Sequence, residues 1–485
     1  MAPQLRATTT EARITTRKRR MREDVASPPP KRLKAPSSKA TKIQTPKAIL
    51  NAAPTTRLEI FAFGEGSAGE LGLGTKKAID VKRPRLNPNL DAKSVGVVDI
   101  ATGGMHAVAL THDNKVLTWG VNDLCTLGRD TTWEGGMRDV DAEEDSDSDA
   151  SDSGLNPRES TPTTIPADKF PAGTKIVRVA AGDSTTFVLT DEGLVYGWGT
   201  FRDNNGIFGF SLRQDNTIIR VQKEPMLIPN LKRITQLSVG NDFCLALDAE
   251  GNVFSWGNGE ESQLGHRILG RRRAAALIPA RVALPKKNKI VSIHAGSNHA
   301  FAIDSNGDTW AWGSNNFGQT GIAEGAGKGG SSIIAPRKVP SLARKNMKLI
   351  RGGSHHSIGV TWCGECLVWG RIDGAQSGLD MSQQLPLDDP DKVIVERGRP
   401  RILLQPTPLP ISGCVYAAAG PDHNIVITSD GKAYSWGFNG NYQCGQGTDD
   451  DIPLATLIDN SAVRNKKLSW AGAGGQYSML ASPFE

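Results

Sequence analysis

The stretch AGSNHAFAIDSNGDTWAWG, residues 295–313, holds an arrangement that the chain writes seven times. Gly296 is followed three residues on by His299, and thirteen residues later stands Trp312 with Gly313 behind it. The same two spacings join Gly103, His106 and Trp119; Gly182, Thr185 and Trp198; Gly240, Phe243 and Trp256; Gly353, His356 and Trp369; and Gly420, His423 and Trp436. Successive copies lie between 56 and 79 residues apart, so the inner unit is fixed and its connections are not. Within a copy, apolar residues alternate around a Gly-bearing turn, as in LDAEGNVFSWG and ITSDGKAYSWG, which is the pattern of a β-hairpin whose turn needs positive φ. A lone hairpin cannot bury its apolar face, so the Trp and aliphatic positions predict packing between neighbouring units. The last copy is cut by the chain ends: Gly474 and Tyr477 in AGGQYSMLA (473–481) supply its first half, and Phe63-Gly64 in LEIFAFGEG (58–66) its second. A repeat shared by the two ends is how a circular array closes. The expected fold is all-β, a seven-bladed β-propeller over residues 58–485 closed by pairing of N- and C-terminal strands. The His at +3 has two readings, a core imidazole hydrogen-bonded to the neighbouring blade or one aimed into the central tunnel.

Charge divides the chain. It has 57 Lys and Arg against 51 Asp and Glu, and residues 1–57 hold 14 of the former and 3 of the latter, so the net +6 belongs to that segment and the remainder is acidic. With many Pro, Ser and Thr and little branched or aromatic content, residues 1–57 are expected to be a disordered basic tail. Arg17-Lys18-Arg19-Arg20 and Lys31-Arg32-Leu33-Lys34 have the spacing of a bipartite nuclear localisation signal for an importin-type receptor, and the same charges suit DNA phosphates. A solvated tail without consequence is the plain alternative. DVDAEEDSDSDASD, starting at Asp139, predicts an acidic loop insertion over about 139–153.

No run of 18 apolar residues and no apolar leader segment is present, so neither a membrane span nor a secretory signal is expected, and the six Cys are expected to be reduced thiols of an intracellular protein. Cys363 and Cys366 form a CxxC, but they flank one hairpin turn with no second pair, so neither zinc nor redox chemistry is expected there. No Gly-x-Ser-x-Gly elbow or His-Glu-x-x-His motif occurs, and GIAEGAGKGGSS (321–332) misses the register of a phosphate loop. The chain is expected to use no cofactor, no metal and no catalytic residue. Its function should sit where a blade departs from the repeat.

One departure follows Trp198-Gly199. Other units continue with a short polar loop to a Leu-Gly, as in GNGEESQLG, whereas this one runs TFRDNNGIFGF (200–210). Asn-Asn-Gly favours a tight turn, so a small β-projection is predicted. With GRDTTWEGG (128–136), the seven-fold repeat and the basic tail, this element closely resembles the regulator of chromosome condensation family, the guanine nucleotide exchange factors of the nuclear GTPase Ran, over about residues 58–482. The resemblance implies that Phe201, Arg202, Asp203, Asn204, Asn205 and Gly206 form a wedge pushed into the GTPase near its phosphate-binding loop, helped on the same face by Asp183, Asp242, His355 and Asp130. Such carboxylates have a plainer use, capping their own turns. The family's first unit carries an acid just after its Gly-x-Gly, where this chain has Ser67.

The resemblance also implies a nuclear, chromatin-associated protein that acts by differential binding, in which exchange factor and nucleotide weaken each other's hold on the GTPase by the same factor. It implies the nucleosome as second partner, through histone acidic surface and DNA, with Arg267, Arg271, Arg272 and Arg273 of HRILGRRRAAA (266–276) suited to carboxylates. Two other readings remain. A chromatin-bound propeller scaffold without exchange activity is opposed by the intact FRDNNG. A light sensor of the ultraviolet-B photoreceptor kind is opposed by the scatter of Trp133, Trp310, Trp362 and Trp470.

Overall fold

Each copy of the repeat is the middle of an antiparallel sheet. In the copy that starts at Gly296, the strands Ile290–Ala295, His299–Asp304, Thr309–Ser314 and Ser332–Lys338 lie side by side in chain order. The computed structural model describes residues 49–75, 80–134 and 154–485, and both basic clusters of the tail and the acidic insertion lie outside them. Seven sheets of four or five strands repeat this plan. We number the blades from the sheet that begins at Val97–Thr102, blade 1, to the shared sheet, blade 7. Blade 7 is ordered Asp80–Leu86, Leu58–Glu65, Tyr477–Pro483, Trp470–Ala473, with Phe61 opposite Leu480 and Gly64 opposite Tyr477. The propeller and its closure by the two chain ends are as the split copy predicts.

The spacings are packing and register. A Cβ on Gly296 would lie 2.3 Å from the His299 ring, on Gly240 2.1 Å from Phe243, and on Gly474 2.2 Å from Tyr477. The glycine is thus the space into which the +3 ring folds. The glycine after the Trp pairs with the +3 residue across the hairpin, Gly313 opposite His299, at a φ of +100° that disfavours any side chain.

Between blades, polar contacts repeat. His106 Nε2 meets Thr186 Oγ1 at 2.8 Å, His299 meets Ser357 at 2.7 Å, and His356 and His423 meet Asn424 and Ser478, both at 2.9 Å. Of the two readings of the +3 His, the bond to the next blade is the one realised. Burial lowers His106 to about 4 and His299 and His423 to about 3, so these imidazoles are neutral at physiological pH. The six repeated Trp are buried. The indole N–H of Trp119, Trp198, Trp312, Trp369 and Trp436 donates to a main-chain carbonyl of the preceding blade, at 2.7 to 2.9 Å.

At one mouth of the tunnel, main-chain bonds step round the ring. The N–H of Gly475 donates to Gly104 O, Gly104 to Gly182 O, Asp183 to Asn241 O, Asn241 to Ser297 O, Ser297 to Gly353 O, and Ser354 to Pro421 O. They surround a central cavity of about 670 Å³. The chain joins this ring before Leu58. Leu50 and Asn51 donate their N–H groups to Asp191 O, the Asn51 side chain reaches Thr190 O and Ile234 O, and Pro54 lines the cavity. Charge composition places the boundary at 57 because an asparagine that caps carbonyls leaves no mark in it. Cys363 is exposed while Cys366 is buried. Among the described residues no helix is long and apolar enough to cross a membrane.

Candidate functional site

In most blades the loop after the Trp-Gly ends in a glycine seated on the next blade's Trp: a Cβ on Gly128 would be 2.7 Å from Trp198, and on Gly378 2.9 Å from Trp436. Blade 2 lacks that loop. Its chain forms a two-stranded projection, Phe201–Asp203 against Gly206–Gly209, turning at Asn204-Asn205. The root is aromatic. Phe201 and Phe210 are buried, stack at 6.0 Å, and both lie against Phe187. Phe201 is therefore the anchor of the projection, while at Gly206 nothing would come within 4 Å of a Cβ. With the usual loop gone, Trp256 Nε1 is buried with no acceptor among the described residues, a cost of about 1–3 kcal/mol. The edge of Phe187 on Trp256, at 5.7 Å, offsets part of it.

Carboxylates hold the projection's main chain. Asp242 Oδ1 accepts from Arg202 N at 2.6 Å, Glu260 Oε2 from Asn204 N at 3.0 Å, and Asp203 Oδ1 from Asn205 N at 2.6 Å. The Arg202 guanidinium stands 3.9 Å from Asp183, both half exposed, a weak pair. A Cβ on Gly104 of blade 1 would lie 2.2 Å from Asp183 Oδ1, so a side chain there would push the Asp183 carboxylate out of its present place. Burial pushes Asp242 up to about 7, against the hydrogen bond from Arg202 N–H, and the Asp183 charge adds to the rise. Desolvation raises Asp183 as well, with Arg202 opposing. A cleft of about 190 Å³ beside the projection is lined by four carboxylates, Asp203, Asp242, Glu260 and Glu261, with Arg202, Asn204, Asn258 and Asn298 among them. Asp203 and Glu260 already hold Arg273, which leaves Asp242 and Glu261 as its carboxylates without an ion pair among the described residues.

The other candidate residues fall in distinct places. His355 occupies the same turn in blade 5, its ring 4.7 Å from that of Phe317, with the Arg371 and Arg401 guanidiniums over Phe317 at 5.5 and 5.2 Å. Burial, then the Arg371 charge, lower its pKa, so it presents a neutral imidazole. Asp130 accepts from Thr132 N and Oγ1 at 2.9 and 2.6 Å, capping its own turn. Ser67 donates to Glu65 Oε1 at 2.6 Å, and Glu65 Oε2 accepts from Asn441 at 3.0 Å, so blade 7 presents a carboxylate two residues before the position where one was sought. Arg267, Arg271 and Arg272 are exposed and make no ion pair among the described residues, whereas Arg273 binds Asp203 and Glu260. Glu65 and Glu260 escaped the sequence reading. Glu260, at least, has a signal: it lies in GNGEESQLG, the loop of the blade next to the projection.

The raised pKa of Asp242 predicts one pH trend in stability and the opposite trend in affinity for any partner that sets a cation against it. Pairing with a partner's cation needs the carboxylate, so affinity is expected to rise with pH through about 7. An unfolded Asp ionises near 4, so between about 4 and 7 the folded ring binds the extra proton and its stability falls as pH rises. Asp242→Asn flattens both trends, as urea midpoints and partner titrations between pH 5 and 8 will show. A parent that gains stability relative to Asp242→Asn across that window contradicts the raised pKa.

The sequence pattern of the RCC1-like domain matches residues 59–480. Protein pim1 of Schizosaccharomyces pombe is 40% identical over 431 residues, 88% of this chain and 75% of that protein. Guanine nucleotide exchange factor SRM1 of Saccharomyces cerevisiae is 38% identical, over 87% of this chain and 86% of its own. Among solved structures, Prp20p from Saccharomyces cerevisiae, described with its binding properties to Gsp1p and histones, aligns at a TM-score of 0.79 and 35% identity, over 89% of this chain and 92% of that one. Yeast RCC1 (Prp20) bound to Kap60 aligns at 0.79 and 34%, over 93% and 97%.

Proposed function

The chain belongs to the RCC1-like domain family, and from that premise we propose that it is a guanine nucleotide exchange factor for the small GTPase Ran, acting on chromatin in the nucleus. The observation that carries this reading is the FRDNNG projection, rooted on Phe187, Phe201 and Phe210 and braced by Asp242 and Glu260 beside the Asp183 turn. A rigid wedge with an open tip competes with the nucleotide's phosphates for space and for hydrogen bonds on the GTPase. Asp183 and Asp242 pair with cations of the GTPase, and His355 meets it from across the ring. No covalent step is required. The wedge fits the nucleotide-free GTPase better than the loaded one, and by linkage it loosens the nucleotide by the same factor that nucleotide loosens the wedge. The relatives support this: SRM1 is named an exchange factor, and Prp20p is described with Gsp1p.

Chromatin is the second partner in this reading. Exposed Arg267, Arg271 and Arg272 offer planar donors to the acidic surface of histones, a class of partner named for Prp20p. The basic clusters at Arg17–Arg20 and Lys31–Lys34 serve as DNA tether and as import signal for a receptor of the kind that Kap60 represents for yeast RCC1.

The deciding experiment follows release of labelled GDP from Ran and from other small GTPases, with the full chain and with a chain lacking residues 1–47. Both chains are expected to accelerate release from Ran alone, and the shortened one to lose DNA association and its steep salt dependence. Failure of the full chain to accelerate release would leave the inactive scaffold. Failure of the shortened one alone would show that the tail takes part in exchange.

A further inference from the structure

Arg273 departs from the arginines beside it. Its Nη2 donates to Asp203 Oδ2 and to Glu260 Oε1, each at 2.6 Å, and its guanidinium lies over the Phe208 ring at 4.8 Å. All three partners belong to the projection or its brace. The second oxygen of Asp203 accepts from Asn205 N–H, and that of Glu260 accepts from Asn204 N–H. One guanidinium thus joins both carboxylates that hold the two turn residues. The Asp203 side chain is 5% exposed and that of Arg273 36%, so the carboxylate end of the pair is shielded from water and its hydrogen bonds count for more than a contact exposed at both ends. Without the cation, two carboxylates would face each other beside a third at Asp242.

We propose that Arg273 is a positioning residue of the wedge: by clamping Asp203 and Glu260 it presents the Asn204-Asn205 turn in one orientation before any partner arrives. A turn ordered in advance loses no further conformational freedom when it displaces a ligand, which is the physical basis of preorganisation. The consequence for rate rests on the exchange reading above; the clamp itself does not. The role also withdraws Arg273 from the surface offered by Arg267, Arg271 and Arg272.

The test uses the full chain and three variants. Arg273→Ala removes the clamp, Arg273→Met keeps a long unbranched side chain beside Phe208 without the charge, and Arg273→Lys keeps the charge but reaches the two carboxylates less well. Nucleotide release from the GTPase is expected to lose about tenfold in kcat in the Ala and Met variants with KM changed less than about twofold, and the Lys variant to recover part of the loss. In the free chain, hydrogen exchange at the Asn204 and Asn205 amides should accelerate by about tenfold in Ala and Met while the melting temperature of the Met variant stays with the parent. Parental kcat and parental amide protection in Arg273→Met would overturn the proposal, as would losses that merely track the folded fraction. If the parent releases no nucleotide, the exchange reading fails and the amide rates still decide whether the clamp exists.

Discussion

Replacing Arg202 through Asn205 by a Gly-Ser run is expected to leave the melting temperature within about 2 °C of the parent and to lower assisted GDP release by about a hundredfold or more. The two effects separate because root and tip have different environments. Phe201 and Phe210, which carry the buried area, are untouched, while the replaced residues make the half-exposed Arg202–Asp183 pair, the Asp203 end of the Arg273 clamp at the edge of the projection, and three main-chain bonds to carboxylates. Exposed pairs are worth about 0–1 kcal/mol. The rate falls because the wedge's contacts are made fully only when the nucleotide is displaced, and contacts of that kind lower the barrier rather than the starting state. Asp183→Ala and Asp242→Ala are each expected to weaken exchange by about 1–3 kcal/mol if they pair with partner cations away from water. A release rate equal to the parent's, or one reduced only as far as the folded fraction is, would remove the wedge from the mechanism.

Deleting residues 471–485 is expected to abolish folding of the ring. That deletion takes the strand Tyr477–Pro483 and all but Trp470 of Trp470–Ala473 out of blade 7, leaving Leu58–Glu65 paired only with Asp80–Leu86 and open along its other edge. Tyr477, Met479, Leu480 and Ala481 are fully buried. Losing the burial of the first three at about 1.5–3 kcal/mol each, together with the ladder to Leu58–Glu65, consumes most of the roughly 5–15 kcal/mol by which domains are stable. Tyr477→Phe isolates one part, the hydrogen bond from its hydroxyl to His106 O at 2.6 Å across the blade 7 to blade 1 junction, worth about 1 kcal/mol. Thermal unfolding and size-exclusion profiles check both. A truncated chain that melts with the parent would mean that the ring closes without its latch.

What the sequence shows plainly is whatever recurs at fixed distance. The spacings of three and thirteen are legible because they are a ring folded over a glycine and a strand register, both local, and the closure is legible because the broken copy sits at both ends. The wedge is legible as an interruption of that rhythm. The remainder depends on which carbonyl or carboxylate a remote segment brings near. Arg273 reads as one of three equivalent arginines until Asp203, seventy residues earlier, is beside it. Asn51 is an unremarkable polar residue until Thr190 O and Ile234 O converge on its amide. Asp130 looks like Asp183 and Asp242 in the sequence, and in the fold one of its carboxylate oxygens, Oδ1, caps the turn at Thr132 while the residue stays exposed. Glu65 places a carboxylate at a strand end two residues before Ser67, which donates to it.

The belt of main-chain bonds around the tunnel mouth has an implication for how such a face diversifies. The turns that it links carry Asp183, Asn241, Ser297 and Ser354 on one and the same kind of bond, and the bond involves no side-chain atom of any of them. A substitution there leaves the frame's own connections standing, so new chemistry is admitted turn by turn without rebuilding the barrel of blades. At Gly104 a side chain would first meet its neighbour's carboxylate, which it would displace without touching those bonds. Side chains on these turns can therefore change while the bonds that close the belt remain the same.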